Sequence, residues 1–485
     1  MNTLFVKTDT TKLYLDANQD KTVSNLLWGD RVFHDPVNPE VNGRIKVQAR
    51  GRTGFVKMSD LDTSSSLLEI YFIDVGQGDG LLIRMPDDRH IFIDGGYRRK
   101  YQPAKKNAAD FIDWKFFKDY GRTEMLLDAV IASHCDADHY GGLWDLLNPN
   151  EQAELDIKTD QIKVKNFFHA GLGWLKKGSA RSLGPIENGF LTLLMGDKNH
   201  LKTMLNANPT GYKLQGDWAD FIQTVVAKAD ACQRVSHETG YLPGFAPAAG
   251  NAAIKVLAPI EETQGGKPVL RSLGSTNKNT NGHSVTLRVD YGKVRILLTG
   301  DLNAAAQKFI LQYYENQEKE FSCDVAKACH HGSDDCSYEF LSHVGACATV
   351  ISSGDSEGHN HPRPAIVAAS ALTGHKTIKA DSVITPLIYS TEIARSYRLG
   401  SPYELVKLAD NSLIKKTEKI NVRYEERNSG DLQASKKEKD LWGRKIVSGI
   451  VYGLVNVRTD GEKVLCATMS ETDGDWDVRT FRTRF

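Results

Sequence analysis

Over residues 1–63, hydrophobic and polar positions alternate in short runs, TKLYLDA, KTVSNLLWGDRVF and GRIKVQARGRTGFVKMSDL, each broken by turn-forming residues. A period of two turns one face of each run toward a core, and short strands at this spacing predict a small all-β barrel, with TSSS (63–66) as a linker. From Leu67 the pattern changes. LLEIYFIDVGQGDGLLIRM reads as strand, glycine-rich turn and strand, and HIFIDGG follows as a third strand. AKKNAADFIDWKFFKDYG repeats its apolar residues at helical spacing and stops at glycine, whereas LLDAVIAS is again a β-type run. Strands alternating with helices predict an α/β layered core over 67–485, whose sites gather where strands end.

Two stretches interrupt that core. Residues 172–280 contain an amphipathic run, WADFIQTVVAKADACQRV, and the Gly/Pro-rich LPGFAPAAGN, and are expected to form a lid or partner surface beside a site. Residues 408–445 are dense in charge of both signs, KKTEKINVRYEERNSGDLQASKKEKDLWGRK, and read as a solvated helix or mobile loop. GLVNVRTDGEKVLCATM predicts a hairpin around Asp460-Gly461 that closes the sheet begun by PLIYSTE.

Charge narrows the partners only a little: Lys plus Arg and Asp plus Glu are 61 each, so any nucleic-acid site must be a local patch. The opening MNTLFVKTDTTKLYL lacks the features of a secretion signal, and no apolar run is long enough to span a bilayer. Both point to a cytoplasmic protein with no membrane partner. Seven scattered cysteines suit reduced thiols, and Cys329 and Cys336 lack the CxxC spacing of a thiolate zinc site.

The chemistry concentrates in SHCDADHYGG (133–142). His134, Asp136, Asp138 and His139 follow a buried-type strand at i, i+2, i+4 and i+5, which can turn several side chains around one point. Imidazole with carboxylate is a donor set for a borderline or hard divalent cation. One such residue alone would read as a helix cap or a satisfied core histidine; four together favour metal. The rest of the chain repeats the theme: KVKNFF runs into His169, VRILLTG into Asp301, and DVAKAC into His330-His331.

FIDVGQGDG, IFIDGG, SHCDADHYGG, ILLTGD and HHGS, in this order, resemble the metallo-β-lactamase fold, in particular the hydrolase domain of ComEC-type DNA-uptake competence proteins, over about residues 67–395 and 447–467. The first 63 residues resemble the bacterial Src-homology-3-like barrel, through LYLDA, WGDRVF, Gly54-Phe55 and Asp60-Leu61. The hydrolase resemblance implies a four-layer αββα sandwich binding two divalent metal ions. His134, Asp136 and His169 would hold the first ion, Asp138, His139 and His330 the second, and Asp301 would bridge them. Aspartate at 136, where the commonest form of the motif has histidine, adds an oxygen ligand and lets manganese compete with zinc. Two such cations about 3.5 to 4 Å apart suit ester or phosphodiester hydrolysis. Asp138 would orient or deprotonate the nucleophile, and His331, or His361 in GHNHPRP, would protonate the leaving oxygen or hold a phosphate. Asp74 and Asp94 are expected as buried carboxylates bracing the ligand loop, and Asn281 and Ser284 as structural.

Substrate is suggested by YRRKYQPAKK (97–106), where Arg98, Arg99 and Lys100 sit beside Tyr97 and Tyr101, cations and rings that suit phosphates and bases. Gln77 and Asp79 would add substrate contacts. The expectation is a dinuclear hydrolase of DNA or RNA, in bacterial defence or DNA processing, with a protein partner on the barrel or the 172–280 insertion. Hydrolysis of a small ester (lactone, thioester or phosphocholine ester) and a noncatalytic, metal-stabilised binding protein are the alternatives.

Overall fold

The computed structural model describes residues 1–102, 105–206, 210–353, 361–391, 398–400, 410, 412, 420–426, 435–441, 446–448, 453–469 and 476–485. They fall into two compact units, one of residues 1–392 with 453–485 and one of residues 393–452.

The strands expected in the first 63 residues form a seven-stranded antiparallel sheet whose run of neighbours ends at Thr22–Leu27 and at Leu61–Asp62. Leu13, Leu26, Val32 and Val56, all fully buried, centre its own core. The sheet also packs on the rest of the first unit. Leu27 joins a cluster with Leu465 and Ala467, and Asp30 pairs with the fully buried Arg458 at 2.8 Å.

Two further sheets follow. A nine-stranded sheet runs Ala229–Arg234, Ile162–His169, Met125–Ala132, His90–Gly95, Gly80–Arg84, Leu68–Phe72, Val455–Thr459, Lys463–Met469 and Trp476–Arg482. A six-stranded sheet runs Ala253–Ala258, Thr286–Tyr291, Val294–Leu298, Val325–Lys327, Ala348–Ile351 and Leu387–Ser390. Strand alternation divides their side chains between cores. Ile70, Phe72, Ile83, Ile91 and Ile131 face Ile254, Leu287, Val289, Ile296 and Val350 of the other sheet. The intervening Tyr71, Leu82, Phe92 and Val130 pack with Ile112, Leu143, Leu146 and Phe221 of three helices, Ala108–Trp114, Ala137–Leu147 and Gly216–Lys228. On the far side of the six-stranded sheet, Leu297 and Ala326 meet Ala306 and Ile310 of helix Ala304–Tyr313 and Phe340 of helix Tyr338–Val344.

Three expectations change. The amphipathic run of the 172–280 segment is a helix only to Lys228. ADACQR becomes the strand Ala229–Arg234, pairing in parallel with Ile162–His169, so this segment supplies the edge of the large sheet as well as surface. The hairpin Val455–Thr459/Lys463–Met469 extends the nine-stranded sheet beside Leu68–Phe72 and does not join the PLIYSTE strand, which lies at the edge of the six-stranded sheet. The charged 408–445 stretch contains a paired antiparallel hairpin, Ile420–Glu426 with Ser435–Leu441, where a helix or loop was expected. The rest of that stretch lies mostly outside the described residues. Among the described residues, no helix is long and apolar enough to cross a membrane.

Candidate metal centre

The strand Met125–Ala132 ends beneath the loop that carries SHCDADHYGG, and Asp136 stands at the head of helix Ala137–Leu147. That helix lies hard against the end of strand His90–Gly95. A Cβ on Gly142 would come 2.1 Å from the Gly95 carbonyl oxygen, so only glycine permits the approach. Gly78, at φ +111°, is held as closely, its place for a Cβ being 1.8 Å from the Asp138 carbonyl. These contacts bring the GQGDG turn, the IDGG strand end and the ligand loop to one place.

There Asp79, His139, Asp301 and His331, all buried, present one atom each within 4.8 Å of one another. Both imidazoles use Nδ1 outward: that of His139 lies 2.9 Å from Asp94 Oδ2, and that of His331 lies 3.1 Å from the Ser352 carbonyl and 3.2 Å from Asp79 Oδ1. With the Nδ1 protons committed to acceptors, both Nε2 atoms face inward, an orientation that suits metal ligation once a cation displaces their protons. The two Nε2 atoms lie 3.2 Å apart, with Asp301 Oδ2 at 3.3 Å from His139 and 2.9 Å from His331. Asp79 is held by the Lys327 ammonium, 2.5 Å from Oδ2, and by His331 Nδ1, 3.2 Å from Oδ1, whereas Oδ1 of Asp301 accepts no hydrogen bond among the described residues. A buried Asp301 oxygen without a donor, beside two inward Nε2 atoms, fits a divalent cation.

Electrostatics lead the same way. Burial alone would lower His331, but Asp301 and Asp79 outweigh it and raise its pKa to about 10; His139 is raised well above its usual value against the same burial, by Asp301 and Asp94. The protein by itself therefore gathers positive charge around Asp301, the charge a cation would supply. Lys327 adds to it, its Nζ 2.5 Å from Asp79 Oδ2 and 3.6 Å from Asp301 Oδ1.

Most other sequence candidates flank this cluster. His134 is buried, its ring centroid 4.0 Å from that of His139 and its Nε2 3.7 Å from Asp136 Oδ2; burial, then His139, hold its pKa well below the usual value. Asp136 accepts from Thr280 Oγ1 at 3.1 Å, and burial with Asp138 raises its pKa to about 6. Asp138 is partly exposed, accepts from Gln77 Nε2 at 3.3 Å and lies 3.8 Å from His331 Nε2. Asp94 also accepts the Ser133 amide at 2.8 Å, so it braces both the loop and the His139 ring. Ser284 Oγ accepts the Asp301 amide at 3.0 Å.

Several candidates stand elsewhere than expected. His330 and His331 both have left-handed backbone, φ 47° and 52°, and this turn sends the second ring into the cluster; His330 Nε2 stays 3.9 Å from Asp301 and contacts Asn281 Nδ2 at 3.2 Å. The His361 ring centroid lies 5.8 Å from that of His330. His169 spends both nitrogens on backbone: Nδ1 accepts from the Gly171 amide at 3.1 Å and Nε2 donates to the Gly196 carbonyl at 3.0 Å, while burial lowers its pKa to about 4. Asp79 is inside the cluster, not at a substrate surface, and Asp74 is only half-buried, accepting the Gly76 amide at 3.4 Å. Arg98 and Arg99 are buried and paired with carboxylates. Arg98 pairs with Asp145 and Glu151 at 2.8 Å each and lies over Trp144, and Arg99 pairs with Asp110 at 3.2 Å. Lys100 alone of the three is exposed, over Tyr101. Sequence reasoning passed over Lys327, whose only signal is a lone charge in the apolar run DVAKAC.

No known family model matches the chain. It is 23% identical over 331 residues to ComE operon protein 3 of Bacillus subtilis (strain 168), covering 65% of this chain and 32% of that protein. The matched stretch thus spans about a third of that relative's length. Among solved structures, similarity extends to a diphosphatase from the PhnP family (TM-score 0.25, 11% identity, 59% of this chain and 85% of that one). It extends also to the metallo-beta-lactamase SMB-1 with mercaptoacetic acid (0.23, 14%, 54% and 79%) and to unliganded yeast PDE1 (0.31, 9%, 64% and 96%).

Proposed function

We propose that this chain is a metal-dependent hydrolase of phosphodiester bonds in DNA or RNA, with Asp79, His139, Asp301 and His331 holding a divalent cation. The observation that carries this reading is the gathering of two imidazoles and two carboxylates, from four separate stretches of chain, with one potential ligand atom of each within 4.8 Å of the others. His134, Asp136 and Asp138 flank it and would hold a second ion; four carboxylates in one site favour manganese as well as zinc. A bound divalent cation supplies Lewis acidity to a phosphoryl group and lowers the pKa of water. Asp138, partly exposed and steadied by Gln77, is placed to take the proton of an attacking water. His330 and His361, with rings just outside the cluster, would hold a phosphate or protonate the leaving oxygen.

Support comes from the order of the motifs and from the likeness to ComE operon protein 3. Cores on both faces of two packed sheets are what the αββα sandwich implies, and the N-terminal sheet, read as a Src-homology-3-like barrel, would be a docking module. One observation favours the small-ester reading: Arg98 and Arg99, expected to hold a polymer's phosphates, are paired with carboxylates. The test is cleavage of single- and double-stranded DNA, RNA and a phosphodiester reporter after reloading with zinc or manganese, with Asp138→Ala as control. Metal-dependent cleavage of a nucleic acid, lost in the variant, is the expected result; turnover of small esters alone would overturn the nucleic-acid assignment.

A further inference from the structure

Within the 172–280 segment, three short strands, Ala180–Ser182, Leu175–Lys177 and Lys213–Leu214, form a small antiparallel sheet in that order. Its register aligns Ser182, Leu175 and Leu214 in one row and Arg181, Lys176 and Lys213 in the next. Residues directly opposite share a face, and successive residues take opposite faces. Leu175 and Leu214, 1% and 3% exposed, belong to the core that holds Leu143 and Phe221, so the row of three cations faces away from that core. With strands about 4.8 Å apart, the Cα atoms of the row lie within about 10 Å.

Like charges directly opposite on neighbouring strands repel and cost stability. Among the described residues, no carboxylate pairs with Lys176, Arg181 or Lys213 to offset that cost, in contrast to Arg98 and Arg99. Arg181, exposed, lies 3.8 Å from the Trp174 ring centroid, and Lys177, also exposed, lies 5.0 Å from that of Tyr212. Trp174 ties the row to the metal centre: its Nε1 donates at 2.9 Å to the carbonyl of Cys135, the residue between His134 and Asp136. A row of unpaired cations that is backed by aromatic rings and begins at the ligand loop is complementary to a chain of phosphates. We infer that Lys176, Arg181 and Lys213 form the track that holds the backbone phosphates of a nucleic-acid substrate where it enters the metal centre. The inference rests on the hydrolase reading for what the held strand meets there, and it supplies the phosphate contacts that Arg98 and Arg99, paired with carboxylates, do not. Single strands and duplexes share this backbone chemistry.

The experiment is a titration of short fluorescein-labelled single-stranded DNA, RNA and duplex DNA with the full chain, read by anisotropy between about 50 and 200 mM salt, in the Asp138→Ala background so that nothing is cleaved. Arg181→Gln and the double variant Lys176→Ala/Lys213→Ala are compared with Lys12→Ala/Lys46→Ala, which removes the same charge from exposed positions of the N-terminal sheet. Because it relieves like-charge repulsion, the Lys176/Lys213 variant should melt no lower than its parent. On a single strand, the slope of log affinity against log salt should become shallower by about 1.4 in that variant and by about 0.7 in Arg181→Gln, and on a duplex by about 0.9 per cation removed. The Lys12/Lys46 variant should keep the parent slope, and whichever form binds more tightly is the form the track holds. An equal loss in the Lys12/Lys46 variant, slopes that no variant changes, or equal affinity for polyglutamate would overturn the proposal while leaving the hydrolase reading to stand on turnover of the phosphodiester reporter. Binding with the expected slopes, by a chain that with Asp138 intact cleaves neither reporter nor nucleic acid, would support the track and remove the hydrolase reading.

Discussion

Lys327 and Asp79 form an ion pair within the buried Asp/His cluster, Nζ to Oδ2 at 2.5 Å, with both side chains 1% exposed. Burial would lower the lysine pKa, but Asp79 and Asp301 outweigh it and keep the ammonium charged. This cation balances carboxylates drawn from the GQGDG turn and from the end of strand Val294–Leu298. Removing one partner of a buried pair leaves an uncompensated charge. Lys327→Met should therefore destabilise the metal-free protein by about 3–5 kcal/mol. Added zinc or manganese, replacing the lost charge, should restore part of that. Urea melts with and without metal read both effects, and unchanged stability in the metal-free variant would remove the lysine from this role.

Asp94 joins two jobs in one carboxylate, accepting the Ser133 amide on one oxygen and the His139 Nδ1 proton on the other. Asp94→Asn keeps the shape but allows the amide to present N–H to His139 and release its tautomer. Metal affinity should fall about 10- to 100-fold. Isothermal titration with manganese measures this directly, and a chelator competition assay repeats it for zinc.

Acid should weaken the fold through a histidine remote from chemistry. His90 is buried against the Phe116 and Tyr120 rings, at centroid distances of 4.7 and 5.5 Å, and burial lowers its pKa to about 3 from an ordinary 6.5. Between these values the unfolded chain binds a proton that the folded chain does not, so stability falls as pH drops below about 6.5, by up to ~1.4 kcal/mol per pH unit for this one group. His90→Phe, which keeps a ring in place, should flatten the dependence by about one proton. Urea midpoints of both proteins at pH 7 and pH 5 measure the difference.

Much of this was legible in sequence because strand-end rules are local. The run into SHCDADHYGG located His139, the run into ILLTGD located Asp301, and the alternation of residues 67–95 gave three sheet strands in order. What could not be read depended on backbone turns or distant partners. Strand-end proximity pointed to His330, but two successive left-handed residues turn His331 inward. Arg98 and Arg99 read as free rim cations because the carboxylates that bury them, Asp145 and Glu151, are some fifty residues away, at separations of 47 and 53. His169 sits at a strand end like the candidate ligands, yet its partners are the carbonyl and amide of glycines. ADACQR continued a helical pattern and was claimed by the parallel edge of the sheet, where pairing with Ile162–His169 overrides local preference.

The most direct test of the account is metal content by mass spectrometry, alongside turnover of a phosphodiester reporter, in the parent, His331→Ala and His169→Ala after identical reloading and desalting. The account predicts bound divalent metal and turnover in the parent and in His169→Ala, and loss of both in a folded His331→Ala. Metal retained in full by His331→Ala, or lost in His169→Ala, would contradict the centre assigned to Asp79, His139, Asp301 and His331.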